Sequence, residues 1–540
     1  MSASTPTTDM TTAAHASTDN SAPSSADLAA ADKPALFAKH PLVLTIAVML
    51  VTIMQLLDVT IANVALPHMQ SSLNATFDTV SWILTSYIIA GVLVTPVVGW
   101  ITDIVGSRII YIGSVAGFLL ASMLCGMATS LPEMVVFRAL QGICAAFIGP
   151  IAQTILLDIN PPSKQSSALS AWGLVVMVAP IMGPMLGGLL TDALNWRWVF
   201  YINLPIGIPA LAILVWQLPS RPIVRRRLDV VGFIWLAIAL GALQLMLDRG
   251  EHKDWFDSPE IVIELIVTLS ALWIFVVHTL TTDKPLFPGA LFKDRNFSGA
   301  LGSMFVLGVA NVAIASILPT MYQTVYGYTA FDTGLLLIPR ACGILITMTI
   351  GTRIIHRIDI RYLVATGYFV AGAAMLMMSH WSLDMDYWPI LYTGFIQGLG
   401  LGCIFMPMNL VSFATLETQY RPDGASIINL VRNIGSSFGI SIVVSMLARN
   451  TQISHADMAA NITSYSLPSV DPLAAAERVG GNGLAVMQMI DGEINRQAMM
   501  ISYIDNYFAI SIFILCVAGS VFFLKPMRLS KPQQQAPLSE

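Results

Sequence analysis

Charged side chains are scarce in this chain: they make up 11% of its 540 residues, against about 25% in ordinary globular domains, while 55% are hydrophobic. That balance excludes a soluble globular protein and implies one that crosses a membrane many times. The net charge of -5 leaves no basic surplus for a nucleic-acid partner. Cysteine is sparse too. Cys125, Cys144, Cys342, Cys403 and Cys516 all fall inside apolar runs, where a disulfide framework or a zinc site is not expected, so they read as packing residues. No G-x-x-x-x-G-K-[ST] phosphate loop occurs, so ATP is not the expected energy source. H-E-x-x-H is absent and no G-x-S-x-G nucleophile elbow is read, so hydrolase chemistry has no support. Neither enzyme activity, a metal nor a bound cofactor is expected.

Residues 1 to about 32 are rich in Ser, Thr, Ala and Asp, and lack the basic-then-apolar order of a signal peptide. They read as a disordered tail. A helix needs about 20 apolar residues to cross the ~30 Å hydrocarbon layer. Fourteen runs meet or nearly meet that length: 41–65, 80–101, 109–129, 132–155, 169–190, 198–218, 230–247, 261–280, 297–322, 333–355, 362–379, 388–410, 425–447 and 504–524. The expected fold is an all-α membrane protein. It comprises a tail (1–40), a six-helix group (41–218), two inserted helices with linkers (219–296), a second six-helix group (297–524) with a long loop at 448–503, and a tail (525–540).

An even count puts both termini on one side, and loops kept in the cytoplasm carry the excess of Lys and Arg. With the N-terminus inside, eighteen of the 27 basic residues fall in cytoplasmic loops and tails and six on the opposite side. Both termini are therefore expected in the cytoplasm. The other three, Arg138, Arg340 and Arg432, lie within spans. The halves also echo one another: Leu140-Gln-Gly resembles Ile396-Gln-Gly, and Gly183-xxx-Gly187 matches Gly435-xxx-Gly439. Such a repeat implies a transporter whose site lies between two bundles.

Asp58 stands inside the first run, where a charge costs at least about 2.5–3.5 kcal/mol to insert. At 1.5 Å per residue it lies about 10 Å below the outer end of span 1, and Arg138 about 9 Å below that of span 4. A pair at one depth would make each charge tolerable, and protonating the Asp would release the Arg. Gln55, and Gln141 with Gly142, extend a polar stripe in each helix. The plainer alternative is an ion pair that only fixes helix packing. In span 5, Pro180 and Pro184 invite a bend, while Gly183, Gly187 and the adjoining Gly188 permit close apposition, suiting a hinge. Between spans 2 and 3, Gly99, Asp103, Gly106 and Arg108 can latch helix ends; a solvated turn is the alternative.

Gln55, Asn63, Gln141, Arg340, Gln397, Asn409 and Arg432 are the candidate cavity residues. Three deep arginines against one deep aspartate favour weakly acidic hydrophobic substrates over strong cations. Against this stands the alternative that Arg340 and Arg432 pair with carbonyls or helix ends. Glu264 lies near the outer end of span 8, too shallow to count. The 28 methionines could give a polarizable lining, although core or lipid-facing packing accounts for most of them.

Together these segments resemble the major facilitator superfamily, and within it the fourteen-span drug:proton antiporters of the EmrB/QacA type. Leu57-Asp-x-Thr-Ile-x-Asn-Val-Ala-Leu-Pro67 is similar to the family's span 1 signature, and Gly99-xxx-Asp103-xx-Gly106-x-Arg108 to the superfamily loop motif. Arg138-xx-Gln141-Gly142 is similar to its span 4 motif, and Gly183-Pro184-xx-Gly187-Gly188 to its span 5 antiporter motif. Asn195-Trp-Arg-Trp-Val-Phe-Tyr-Ile-Asn-Leu-Pro-Ile-Gly207 and Leu247-Asp-Arg-Gly-Glu-His-Lys-Asp-Trp-Phe256 resemble the EmrB branch. The resemblance covers about Pro41 to Leu524. It implies a proton-driven multidrug efflux antiporter of the bacterial inner membrane; the depth of Asp58 and Arg138 makes them the expected coupling pair, and a single deep carboxylate suggests one proton per cycle. It also implies a periplasmic membrane-fusion adaptor and an outer-membrane channel, and the long loop at 448–503 is our own candidate for the adaptor's docking place. Ile104 and Ser107 stand where many relatives carry basic residues, and Gly394 where the repeat would place a second Arg138. Two other readings stay open: an exporter of one endogenous acid, such as a fatty acid or siderophore, and a non-transporting membrane sensor.

Overall fold

A computed structural model describes residues 34–223, 227–355, 357–414, 416–461 and 483–523. The expected tails therefore lie largely outside the described residues, as does the middle of the long loop. Among the described residues fourteen long helices follow one another: α1 Pro41–Ser72, α2 Trp82–Val105, α3 Ser107–Met127, α4 Leu131–Ile159, α5 Pro162–Ala193, α6 Trp198–Gln217 and α7 Val230–Arg249. The second series is α8 Pro259–Thr281, α9 Arg295–Thr324, α10 Ala330–Ile354, α11 Ile360–Met378, α12 Tyr387–Ala414, α13 Arg421–Asn461 and α14 Gly483–Ala518. No strand occurs among the described residues. Backbone polar groups in a hydrocarbon layer must be bonded within their own segment, which an α-helix achieves.

Thirteen helices are long and apolar enough to cross a bilayer, and α5 makes the fourteenth as a bent pair, Pro162–Pro180 and Met182–Thr191, meeting at 44°. The bend falls where Pro180 and Pro184 remove helix hydrogen bonds. One expectation fails. The stretch 448–503 is not all loop, because α13 continues to Asn461 and α14 already begins at Gly483. At 41 residues α13 is roughly 60 Å long, about twice the hydrocarbon thickness. Its C-terminal part pairs with α14 through His455–Asp491 at 3.0 Å and Thr451–Ser502 at 3.0 Å.

The echo between the halves is an echo of backbone packing. Gly183 and Gly187 of α5 sit against Thr60, Ile61 and Val64 of α1; Gly435 and Gly439 of α13 sit against Phe305 and Val309 of α9. Likewise Gly142 of α4 meets the Tyr87 carbonyl of α2, and Gly398 of α12 meets the Arg340 carbonyl of α10. A side chain at any of these glycines would drive into a neighbouring helix, so close crossing depends on their lacking one. Gly435-Ser-Ser-Phe-Gly439 does spell G-x-S-x-G, correcting the reading that no such string occurs. It lies in the middle of α13 rather than in a strand-to-helix turn, so it is a packing face and not a nucleophile elbow.

The halves meet at the end of the bundle where α4 finishes and α13 begins. There Asp158 accepts from Arg221 Nε at 2.5 Å and lies 3.6 Å from Arg421, while Gly99 packs directly on Asp423. Gln153 of α4 donates to Asn409 of α12 at 3.1 Å and accepts from Asn429 of α13 at 2.8 Å. The inserted pair α7 and α8 lies at the periphery: α7 packs on α2 and α13, while α8 exposes Trp273 and Leu280 at 70% and 81%. Exposed apolar side chains on a spanning helix face lipid.

Candidate functional site

Asp58 sits midway along α1, in a turn pressed by the α5 glycines at Thr60 and Ile61, and its side chain is fully buried. Arg138 of α4 reaches it, Nη1 to Oδ2, at 2.6 Å. The other carboxylate oxygen accepts from Gln141 Nε2 at 2.8 Å and from Asn203 Nδ2 at 2.8 Å. Arg138 also donates to Gln141 Oε1 at 2.8 Å and to the Ile83 carbonyl of α2 at 3.1 Å. Its guanidinium lies 4.4 Å from the Tyr87 ring centroid and 5.6 Å from that of Phe200. Asn203 in turn donates to Ser122 at 2.9 Å, whose hydroxyl donates to the Phe200 carbonyl.

Every group on the carboxylate is a donor: a guanidinium N–H and two amide N–H groups. An ionised carboxylate only accepts, so the set fits the charged form completely. A proton on Oδ1 would face the two amide N–H groups, and one on Oδ2 would cancel the charge that holds Arg138, so protonation loosens the cluster. Because the oxygens are sealed from solvent here, proton exchange also requires movement of the surrounding helices.

Asp58, Arg138 and Gln141 therefore come together as the sequence led us to expect, with Gln55 one turn before Asp58 and half-buried, and Asn63 exposed. Arg340 is buried against the Asn311 side chain at 2.9 Å. Gln397 turns to Met375. Asn409 joins the Gln153–Asn429 chain, and Arg432 extends it, donating to Asn429 Oδ1 at 2.8 Å. Among the described residues, neither Arg340 nor Arg432 pairs with a carboxylate. In the loop motif Gly106 has φ +100°, a conformation that favours glycine, and Arg108 donates to the Val215 carbonyl at 2.7 Å.

A model of the Major Facilitator Superfamily matches residues 48–440. The chain belongs to that superfamily. It is a membrane transporter, not an enzyme. The Escherichia coli K12 multidrug export protein EmrB is 33% identical over 487 residues, covering 90% of this chain and 95% of that protein. The Neisseria gonorrhoeae fatty acid resistance protein FarB is 33% identical over 492 residues, covering 89% and 96%. The solved human organic anion transporter MFSD10 shares the fold at a TM-score of 0.55 and 13% identity, over 88% of this chain and 99% of that one.

Sequence reasoning missed Asn203, Ser122 and Tyr87. Asn203 could have been found: it is an amide inside the Asn195–Gly207 stretch, in an otherwise apolar helix. Asn203→Leu is expected to slow export roughly tenfold at equal amounts of protein in the membrane, since it removes a hydrogen bond to the charged group. Unchanged export rates in vesicles would reduce Asn203 to a packing residue.

Proposed function

We propose that this transporter is a proton-driven multidrug exporter of hydrophobic, weakly acidic compounds, working by alternating access in a bacterial inner membrane with both termini in the cytoplasm. The observation that carries the reading is the donor-only shell around Asp58, which favours the ionised form and is weakened by a proton. Asp58 takes a proton from the outer side, Arg138 loosens, and drug leaves outward; the proton is returned when the site faces inward. In this orientation the contacts at Asp158, Gln153 and Asp423 close the cytoplasmic end.

The substrate class follows from charge. Arg138 is neutralised by Asp58, whereas Arg432, partly buried beside the polar chain between the halves, has an amide and no carboxylate as its partner among the described residues. That environment favours anions. Export of fatty acids is the specific second reading, favoured by similarity to FarB. The paired helices over 448–461 and 483–503 reach past the hydrocarbon layer and are where we place a periplasmic adaptor leading to an outer-membrane channel. Shortening both arms should abolish co-purification with the adaptor; undiminished capture would remove that assignment.

In vesicles with an imposed pH gradient, Asp58→Asn should abolish gradient-driven export while calorimetry still detects binding of the hydrophobic acid. Chemically unrelated acids should compete with one another in the wild type. Coupled export by the variant would refute the proton assignment. Competition by fatty acids alone would favour the second reading.

A further inference from the structure

The inserted hairpin carries a stretch that the coupling site does not use: Leu247-Asp-Arg-Gly-Glu-His-Lys-Asp-Trp-Phe256. On one side it grips the first turn of α2. The Thr85 hydroxyl donates to Asp248, and the Arg249 guanidinium lies 6.0 Å from the Trp82 ring centroid. Between those two contact points is Ile83, whose carbonyl accepts from Arg138 Nε. One turn of helix is thus shared by the hairpin and the coupling cluster.

On its other side the hairpin grips the second half. Ser437, Ser441 and Ser445 are spaced four apart along one face of α13. Ser437 donates to Gln244 at 2.9 Å, Ser441 to the Leu247 carbonyl at 2.7 Å, and Ser445 accepts from Trp255 Nε1 at 2.9 Å. Phe438 fills the space between, against Met246, Leu247 and Ile261. Simple lipid-exposed packing would not call for a polar bond to α2 and three more at successive turns of α13, since lipid tails contact apolar side chains equally well.

We propose that Asp248 and Thr85 are positioning residues of the coupling site: through them the inserted hairpin ties the Ile83 carbonyl, and so Arg138, to the position of α13 in the second half. When the halves rock, α13 carries the hairpin with it, and the hairpin moves the turn that holds Arg138. The inference rests on Asp58 and Arg138 being the coupling pair, which gives the hairpin a function beyond filling space at the edge of the fold.

The test is the ratio of protons moved to substrate exported in reconstituted vesicles, because fewer folded molecules lower both fluxes and leave the ratio unchanged. Thr85→Val and Asp248→Ala should each raise it about fivefold, the effect of losing one hydrogen bond that holds the Arg138 acceptor. The double variant should be no worse than either single one, since both remove the same contact. Thr85→Ser should match the wild type, and Ser437→Ala with Ser441→Ala should raise the ratio from the opposite side of the hairpin. Unchanged ratios in the single variants, or additive effects in the double, would overturn the inference. Asp58→Asn is the control: if it still couples, the coupling pair itself is wrong, whereas if it uncouples and the hairpin variants do not, only the hairpin's part falls.

Discussion

A carboxylate fully buried in a membrane-spanning helix is tolerable only while something opposes its charge, and in this transporter Arg138, Gln141 and Asn203 together do so. Removing one partner of a buried pair costs about 3–5 kcal/mol, because it strands the other. Helices α1, α3, α4 and α6 are therefore held to one arrangement by a single charge. A proton on Asp58 cancels that charge and turns an acceptor into a donor. A chemical event at one atom becomes a change in which helices prefer to touch.

The surrounding packing keeps that event local until it is useful. The α5 glycines lie against the turn of α1 that follows Asp58, so a shift of that turn is felt by a helix already bent at its prolines. The second half repeats the backbone crossings but not the charges. Gly398 meets the Arg340 carbonyl as Gly142 meets that of Tyr87, yet Arg340 finds an asparagine where Arg138 finds an aspartate. One half holds its deep arginine on a carboxylate and the other holds Arg340 and Arg432 on amides, so the two bundles are alike in packing and unlike in charge.

Much of this was legible in the sequence because hydrophobic length and small-residue spacing are local signals. Fourteen apolar runs, the bend at Pro180 and the meeting of Asp58 with Arg138 needed only helix rise and the insertion cost of a charge. What escaped were groups whose meaning depends on a neighbour distant in the chain. Asn203 and Ser122 are ordinary polar residues until α6 brings Asn203 to Asp58 and α3 brings Ser122 to Asn203. Gln153 matters only because Asn409 and Asn429 lie opposite it in the other half. The loop at 448–503 was misjudged because its polar composition hides continuing helices, which pair with each other outside the hydrocarbon layer.

The central claim, that Asp58 carries the coupling proton and that this proton loosens the cluster, is tested most directly by infrared difference spectroscopy of the purified transporter. A protonated-carboxyl band that shifts in D2O should appear as pH is lowered, vanish when a hydrophobic weak acid binds, and be missing in Asp58→Asn. A band that persists in that variant, or that substrate leaves untouched, would contradict the account and place the coupling proton elsewhere.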